Sequence, residues 1–159
     1  MLNILVLCTG NSCRSVIGEA LFNHLGQGRI KAFSAGSHPK GQVHPKALAT
    51  LQAQGVSTEG LFSKSWDSLE NQPIDIVITV CDNAAGEVCP VYLNQAVKAH
   101  WGLPDPDRVT GSNDEVMAAF KETYRALEQR INKMLALPLE TMPADELTAE
   151  LNAIGKLTA

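Results

Sequence analysis

Residues 4–16 read ILVLCTGNSCRSV. The apolar, partly β-branched run at residues 4–7 has the composition of a buried strand. It stops at Cys8, and Arg14 follows after five small or polar residues, Thr9, Gly10, Asn11, Ser12 and Cys13. Helical spacing then begins, with Val16, Ile17, Ala20, Leu21 and Leu25 on one face and Gly26 placed to end the helix. At a strand–helix junction the first backbone N–H groups of the helix have no internal partner. Together with the loop amides they form a concavity that holds an anion. Gly10 permits the tight turn such a loop needs, and Arg14 can clamp a tetrahedral oxyanion through two hydrogen bonds. The same positive field is expected to lower the pKa of Cys8 and make it a nucleophile at neutral pH. Ser15 is placed to hydrogen-bond the sulfur.

The rest of the chain is consistent with one α/β domain followed by a tail. Its 159 residues lie within single-domain size, and 45% hydrophobic content suffices for a core. A net charge of -4 without a Lys/Arg cluster, and only 5% aromatic residues, exclude the basic, stacking surface of a nucleic-acid binder. No apolar stretch approaches a membrane span or a signal-peptide core, so a cytoplasmic protein with no membrane partner is expected. In that compartment four cysteines, Cys8, Cys13, Cys81 and Cys89, suggest chemistry before structural disulfides. They lack the close pairing of a zinc site, and no two histidines have metal-ligand spacing, so no metal is expected.

Strand-like and helix-like stretches alternate. Strands are expected at residues 2–7, 30–34, 74–80 and 96–101. A helix opens at His44-Pro45 with proline at its first position and stops at Gly55. IDIVITV, residues 74–80, is the clearest buried parallel strand, and it ends at Cys81 as the first ends at Cys8. Ser112 to Glu115 forms a capping box for a helix running to about Leu135. The tail from Pro138 carries one short amphipathic helix, residues 144–154, expected to pack on the main body as an appended surface helix or to bind a partner. The division is thus 1–136 for the main domain and 137–159 for an extension.

CTGNSCRS at the end of the first strand resembles the phosphate-binding loop of the low-molecular-weight protein tyrosine phosphatase superfamily, and Ser34-Ala35-Gly36 resembles its element after the second strand. The resemblance implies a phosphotyrosine phosphatase I-like fold: a four-stranded parallel sheet in the order 2-1-3-4 flanked by helices on both faces. CDNAAGEVCP (81–90) and HWGLPDP (100–106) are similar to segments of the superfamily's arsenate reductases. That likeness implies reduction of arsenate to arsenite by a three-cysteine relay. Cys8 attacks arsenate held by loop residues 9–14, Cys81 and then Cys89 resolve, and Asp105 is the general acid. The implied donor is thioredoxin, or glutathione with glutaredoxin, and no cofactor is bound. Asn11 braces the loop, with Glu19 and Ser34 nearby. Some members bind potassium beside that asparagine through an acidic residue, whereas residues 62–66, FSKSW, offer serines and a lysine. The alternative within the superfamily is a phosphatase acting on phosphotyrosine or small phosphoesters, against which the absence of an aromatic shortly after Asp105 speaks. A non-catalytic oxyanion or arsenite sensor is a third reading, for which a DNA-binding module is missing.

Overall fold

A computed structural model describes residues 2–81 and 90–156. Four strands, β1 (Leu2–Leu7), β2 (Ile30–Ala35), β3 (Ile76–Thr79) and β4 (Val97–His100), form one parallel sheet in the order β2-β1-β3-β4. Among the described residues the helices are α1 (Arg14–Leu25), α2 (Pro45–Ala53), α3 (Asn113–Leu135) and α4 (Ala144–Gly155). The expected sheet order holds. Strand β3 is shorter than its apolar run, but Asp75 N–H to Asn3 O and Val80 N–H to Leu7 O continue the pairing on either side.

The alternation of β1 sorts its side chains to two faces. Ile4 and Val6 join Ile76, Ile78, Phe22, Trp101 and Leu127 in the larger core, which all four helices cover. Leu5 and Leu7 join Val77, Leu69 and Leu93 on the opposite face, where two short 3-10 turns, Trp66–Leu69 and Val91–Leu93, lie. Helix α1 sits close to the sheet at Gly18, where a Cβ would come 3.1 Å from a Val6 methyl. Helix α3 carries the expected capping box, Ser112 Oγ accepting from Glu115 N–H, and ends at Leu135. Its buried residues Phe120, Tyr124, Leu127, Ile131 and Met134 recur at three- and four-residue intervals, the stripe a core-facing helix needs.

The tail helix packs on the main body, one of the two expected outcomes. Leu147, Leu151 and Ile154 of α4 belong to the main core. Trp101 Nε1–H donates to Leu151 O at 2.8 Å, and Asn152 Oδ1 accepts from His100 N–H at 3.0 Å. The sequence showed an amphipathic face but not its target, because the docking groove is built from residues some 50 positions earlier. Among the described residues no helix is long and apolar enough to cross a membrane.

Candidate active site

The register of the sheet puts the site together. Leu7 pairs with both Ala35 and Thr79, so Cys8, Gly36 and Cys81 leave the sheet on one rim. Ligands bind on this rim in open parallel sheets. Residues 8–13 then turn back into α1. The turn needs a left-handed residue, and Asn11 supplies it at φ 43°, a conformation asparagine tolerates better than most. The buried Asn11 amide fixes the turn from both ends: Nδ2–H donates to Ser15 Oγ and Oδ1 accepts from Lys64 N–H, each at 2.8 Å.

Loop carbonyls are directed outward. Thr9 O accepts from His38 N–H, Gly10 O from Lys40 N–H and Ser12 O from His44 N–H, at 2.9–3.0 Å. Among the described residues the N–H groups of Asn11, Ser12 and Cys13 meet no protein acceptor. A row of uncommitted donors beside a helix start is an anion nest. Gly36 closes the back of the loop, since a Cβ there would lie 2.3 Å from Thr9 O and 2.5 Å from Cys8 O.

A cleft of about 670 Å³ opens over this loop, walled by residues 8–14, His38, Lys40, Cys81 and the segment from Leu103 to Arg108. Arg14 spans it. Its Nη1–H donates to Leu103 O at 2.9 Å and its Nη2 lies 3.5 Å from Asp105 Oδ2, while buried Nε has no partner among the described residues. Asp105 caps the 3-10 turn Pro106–Arg108 by accepting from Asp107 N–H, and Arg108 approaches it at 3.7 Å. Asp107 ties this segment down. Its carboxylate meets Lys40 Nζ at 3.1 Å and His44 Nε2 at 2.9 Å; burial pushes its pKa up, but the pull of these two partners holds it below the usual range. Because His44 Nδ1 accepts from Lys46 N–H, Nε2 carries the proton it offers Asp107. Sequence spacing marked His44 only as a helix opener and missed this bridge, which joins residues 63 positions apart.

Cys8 and Cys81 both line the cleft and both are buried. Thr9 N–H donates to Cys81 Sγ at 3.5 Å. Two expectations change here. The Cys8 pKa is raised, not lowered: the hydrogen bond with Cys81 is the largest cause and burial the next, against the pull of Arg14 and the Gly10 N–H. The sequence argument put both cysteines at strand ends on one rim, but for the Cys8 pKa it counted only the positive loop. Ser15, expected to bond the sulfur, instead accepts from Asn11, whose left-handed kink brings its amide over the Ser15 hydroxyl. Cys13 is buried with its sulfur 3.8 Å from Asp105 Oδ1; burial first, and that carboxylate second, push its thiol up to about 11. Cys89 lies outside the described residues.

The model of the low molecular weight phosphotyrosine protein phosphatase family matches residues 3–150. The chain belongs to that family. Within it, the chain is similar to curated arsenate reductases. It is 33% identical over 128 residues to an arsenate reductase of Halalkalibacterium halodurans, covering 80% of this chain and 91% of the relative. It is 29% identical to a glutaredoxin arsenate reductase of Synechocystis, covering 86% and 98%. Among solved structures, an arsenate reductase in the phosphate binding state superposes with a TM-score of 0.71 at 27% identity, covering 86% of this chain and 98% of that one. A thioredoxin-dependent arsenate reductase of Corynebacterium glutamicum gives 0.61 at 28% identity, covering 86% and 64%. The family match runs into α4.

Proposed function

We propose that this chain reduces arsenate to arsenite by a relay of Cys8, Cys81 and Cys89, with thioredoxin as the external dithiol. The observation that carries this reading is that Cys8 and Cys81, both buried, share the wall of one cleft beside an anion nest. Hydrolysis of a phosphoester needs one nucleophile; a second thiol sharing its cleft serves a reaction that ends in a disulfide.

The relay balances. Arsenate enters the nest on the N–H groups of residues 11–13 and on Arg14, and the pair Cys8–Cys81 gives up one proton. The Cys8 thiolate bonds to arsenic while an oxygen leaves as water, protonated by Asp105. Cys81 thiolate then attacks Cys8 Sγ, and the electron pair of the S–As bond stays on arsenic, which departs as arsenite. Two thiols have lost two electrons and arsenic(V) has gained them. Cys89 thiolate attacks Cys81, freeing Cys8, and the Cys81–Cys89 disulfide is reduced by thioredoxin through ordinary exchange. Ionisation belongs to the Cys8–Cys81 pair, because two interacting thiols titrate as a unit. The Thr9 N–H on Cys81 Sγ favours a thiolate there once Cys8 has been consumed.

The cradle and Asp105 also support slow hydrolysis of aryl phosphates, which uses Cys8 without Cys81. One experiment separates the two. Reduced protein is mixed with arsenate, thioredoxin, thioredoxin reductase and NADPH, and NADPH loss is followed, with glutathione and glutaredoxin in a parallel arm. Cys81→Ser is expected to abolish arsenate-dependent NADPH consumption and to leave aryl phosphate hydrolysis. No arsenate-dependent consumption by the wild type in either arm refutes the reductase; turnover only with glutaredoxin changes the donor.

A further inference from the structure

Where a loop carbonyl is held outward, the trans peptide turns the following N–H the opposite way, into the nest. His44 holds one such carbonyl. Its main-chain N–H donates to Ser12 O at 2.9 Å, which leaves the Cys13 N–H facing the anion. The same residue reaches the other half of the site with its ring. His44 Nε2 lies 2.9 Å from Asp107 Oδ1, and the Asp107 N–H donates at 3.0 Å to Asp105 Oδ1. One residue thus touches the loop that receives the oxyanion and, through a single carboxylate, the acid that faces it.

The ring is the stiffest part of this connection. It packs on the fully buried Phe120 of α3 at a centroid distance of 4.8 Å, and Nδ1 accepts from Lys46 N–H at 3.1 Å, so both its plane and its tautomer are fixed. Asp107 has a second tether, Lys40 Nζ at 3.1 Å from Oδ2. The Lys40 side chain is 56% exposed against 22% for His44, so solvent screens it more. Asp105 itself lies 3.5 Å from Arg14 and 3.7 Å from Arg108, too far for either to fix it as a hydrogen bond would. Its orientation therefore falls to the Asp107 N–H, and the place of that N–H falls to His44. We propose that His44 is a positioning residue that sets the direction of the Asp105 carboxyl, its imidazole N–H fixing Asp107 while its main chain fixes the Ser12 carbonyl, so that acid and oxyanion loop keep one relative geometry. The proposal rests on the reading of Asp105 as the general acid, and in it the His44 ring acts only through Asp105.

The test uses two aryl phosphates on the reduced full chain. The phenol of 4-nitrophenyl phosphate departs readily as an anion, whereas that of phenyl phosphate needs a proton. In the step that kcat/KM reads, the Cys8–phosphorus bond forms, the bond to the aryl oxygen breaks with its pair on oxygen, and Asp105 supplies the proton. Asp105→Asn is expected to lose about 10²- to 10⁴-fold on phenyl phosphate, the usual worth of a general acid, and far less on the nitrophenyl ester. His44→Phe keeps a ring on Phe120 and removes the N–H. It should lose roughly tenfold to a hundredfold on phenyl phosphate, the order set by a misplacement near 1 Å, and far less on the nitrophenyl ester. Inhibition by inorganic phosphate, which reads the loop alone, should stay within about threefold of wild type, close to the scatter between independent sites. His44→Gln, whose amide offers an N–H at the same reach, should recover most of the loss. In the Asp105→Asn background His44→Phe should cost nothing further on phenyl phosphate, because no acid is left to position. Equal losses on the two esters, weakened phosphate inhibition, no recovery in His44→Gln, or a further loss in the Asp105→Asn background each overturn the proposal. Should His44→Phe not fold, Asp107→Asn decides, since it keeps the backbone N–H and removes the charge that His44 holds; it must meet the same ester ratio and the same double-variant result. Asp105→Asn that slows both esters equally overturns the acid reading and the proposal with it. Selectivity in Asp105→Asn without selectivity in His44→Phe overturns the proposal alone. Wild type that hydrolyses neither ester overturns the cradle beneath both.

Discussion

Replacing Gly36 by alanine should damage the oxyanion loop from behind without touching a residue that meets substrate. The new Cβ would fall 2.3 Å from Thr9 O and 2.5 Å from Cys8 O, both backbone atoms. To bring the nearer one even to 3.0 Å, the Thr9 carbonyl must retreat by about 0.7 Å. That carbonyl is held by His38 N–H at 3.0 Å, and Cys8 N–H is held by Ala35 O at 3.3 Å, so the loop cannot move as a free hinge. Overpacking of this kind costs about 1–3 kcal/mol of stability. A displacement approaching 1 Å at reacting groups costs on the order of 100-fold in rate. Gly36→Ala is therefore expected to lose roughly tenfold to a hundredfold in arsenate kcat/KM, the order set by such displacements, with phosphate affinity falling in parallel. Phosphate calorimetry and the coupled NADPH assay measure both. Gly28→Ala is the control: φ there is +82° and no heavy atom lies within 4 Å of the added Cβ. It should cost about 1–2 kcal/mol through backbone strain alone and leave the site unchanged. Gly36→Ala with wild-type phosphate affinity, or equal damage from both variants, refutes the reasoning.

Two further outcomes follow from burial. The Cys13 thiol, raised from 9.0 to about 11, binds its proton more tightly folded than unfolded, so its contribution to stability is complete below pH 9.0 and lost as pH rises toward 11. The loss should reach about 2–3 kcal/mol; urea titrations across that window should show a shallower decline for Cys13→Ala, and identical slopes would refute the assignment. Leu151→Ala removes a fully buried side chain of α4 and should cost about 2–5 kcal/mol in urea unfolding, whereas a loss below about 1 kcal/mol, the range of surface substitutions, would mean that α4 does not share the core.

The strands and helices were legible because their signals are local. The β-branched runs, Pro45, the Ser112 box and Gly26 each act within a few residues of themselves. The loop was legible for the same reason: cradle, arginine and nucleophile lie within seven consecutive positions. What depended on distant neighbours was not. The hydrogen bond between Cys8 and Cys81 reverses the expected pKa direction, and only the register of β1 against β3 brings the two together. His44 reads as a helix opener until Asp107 arrives beside it. The docking of α4 was hidden similarly, because an amphipathic face does not name its partner.

That docking bears on the order in which the protein matures. Strand β4 is one of the two edge strands of the sheet, and its His100 N–H is satisfied by Asn152, while Trp101 is held by Leu151. These two residues are the root of the segment that carries Asp105. Domains assemble from the N-terminus as the chain emerges during synthesis, so the nest can be shaped early, around β1, β2 and α1. The acid segment acquires its footing only when the last helix has left the ribosome. A nascent chain should therefore bind an oxyanion before it can turn one over.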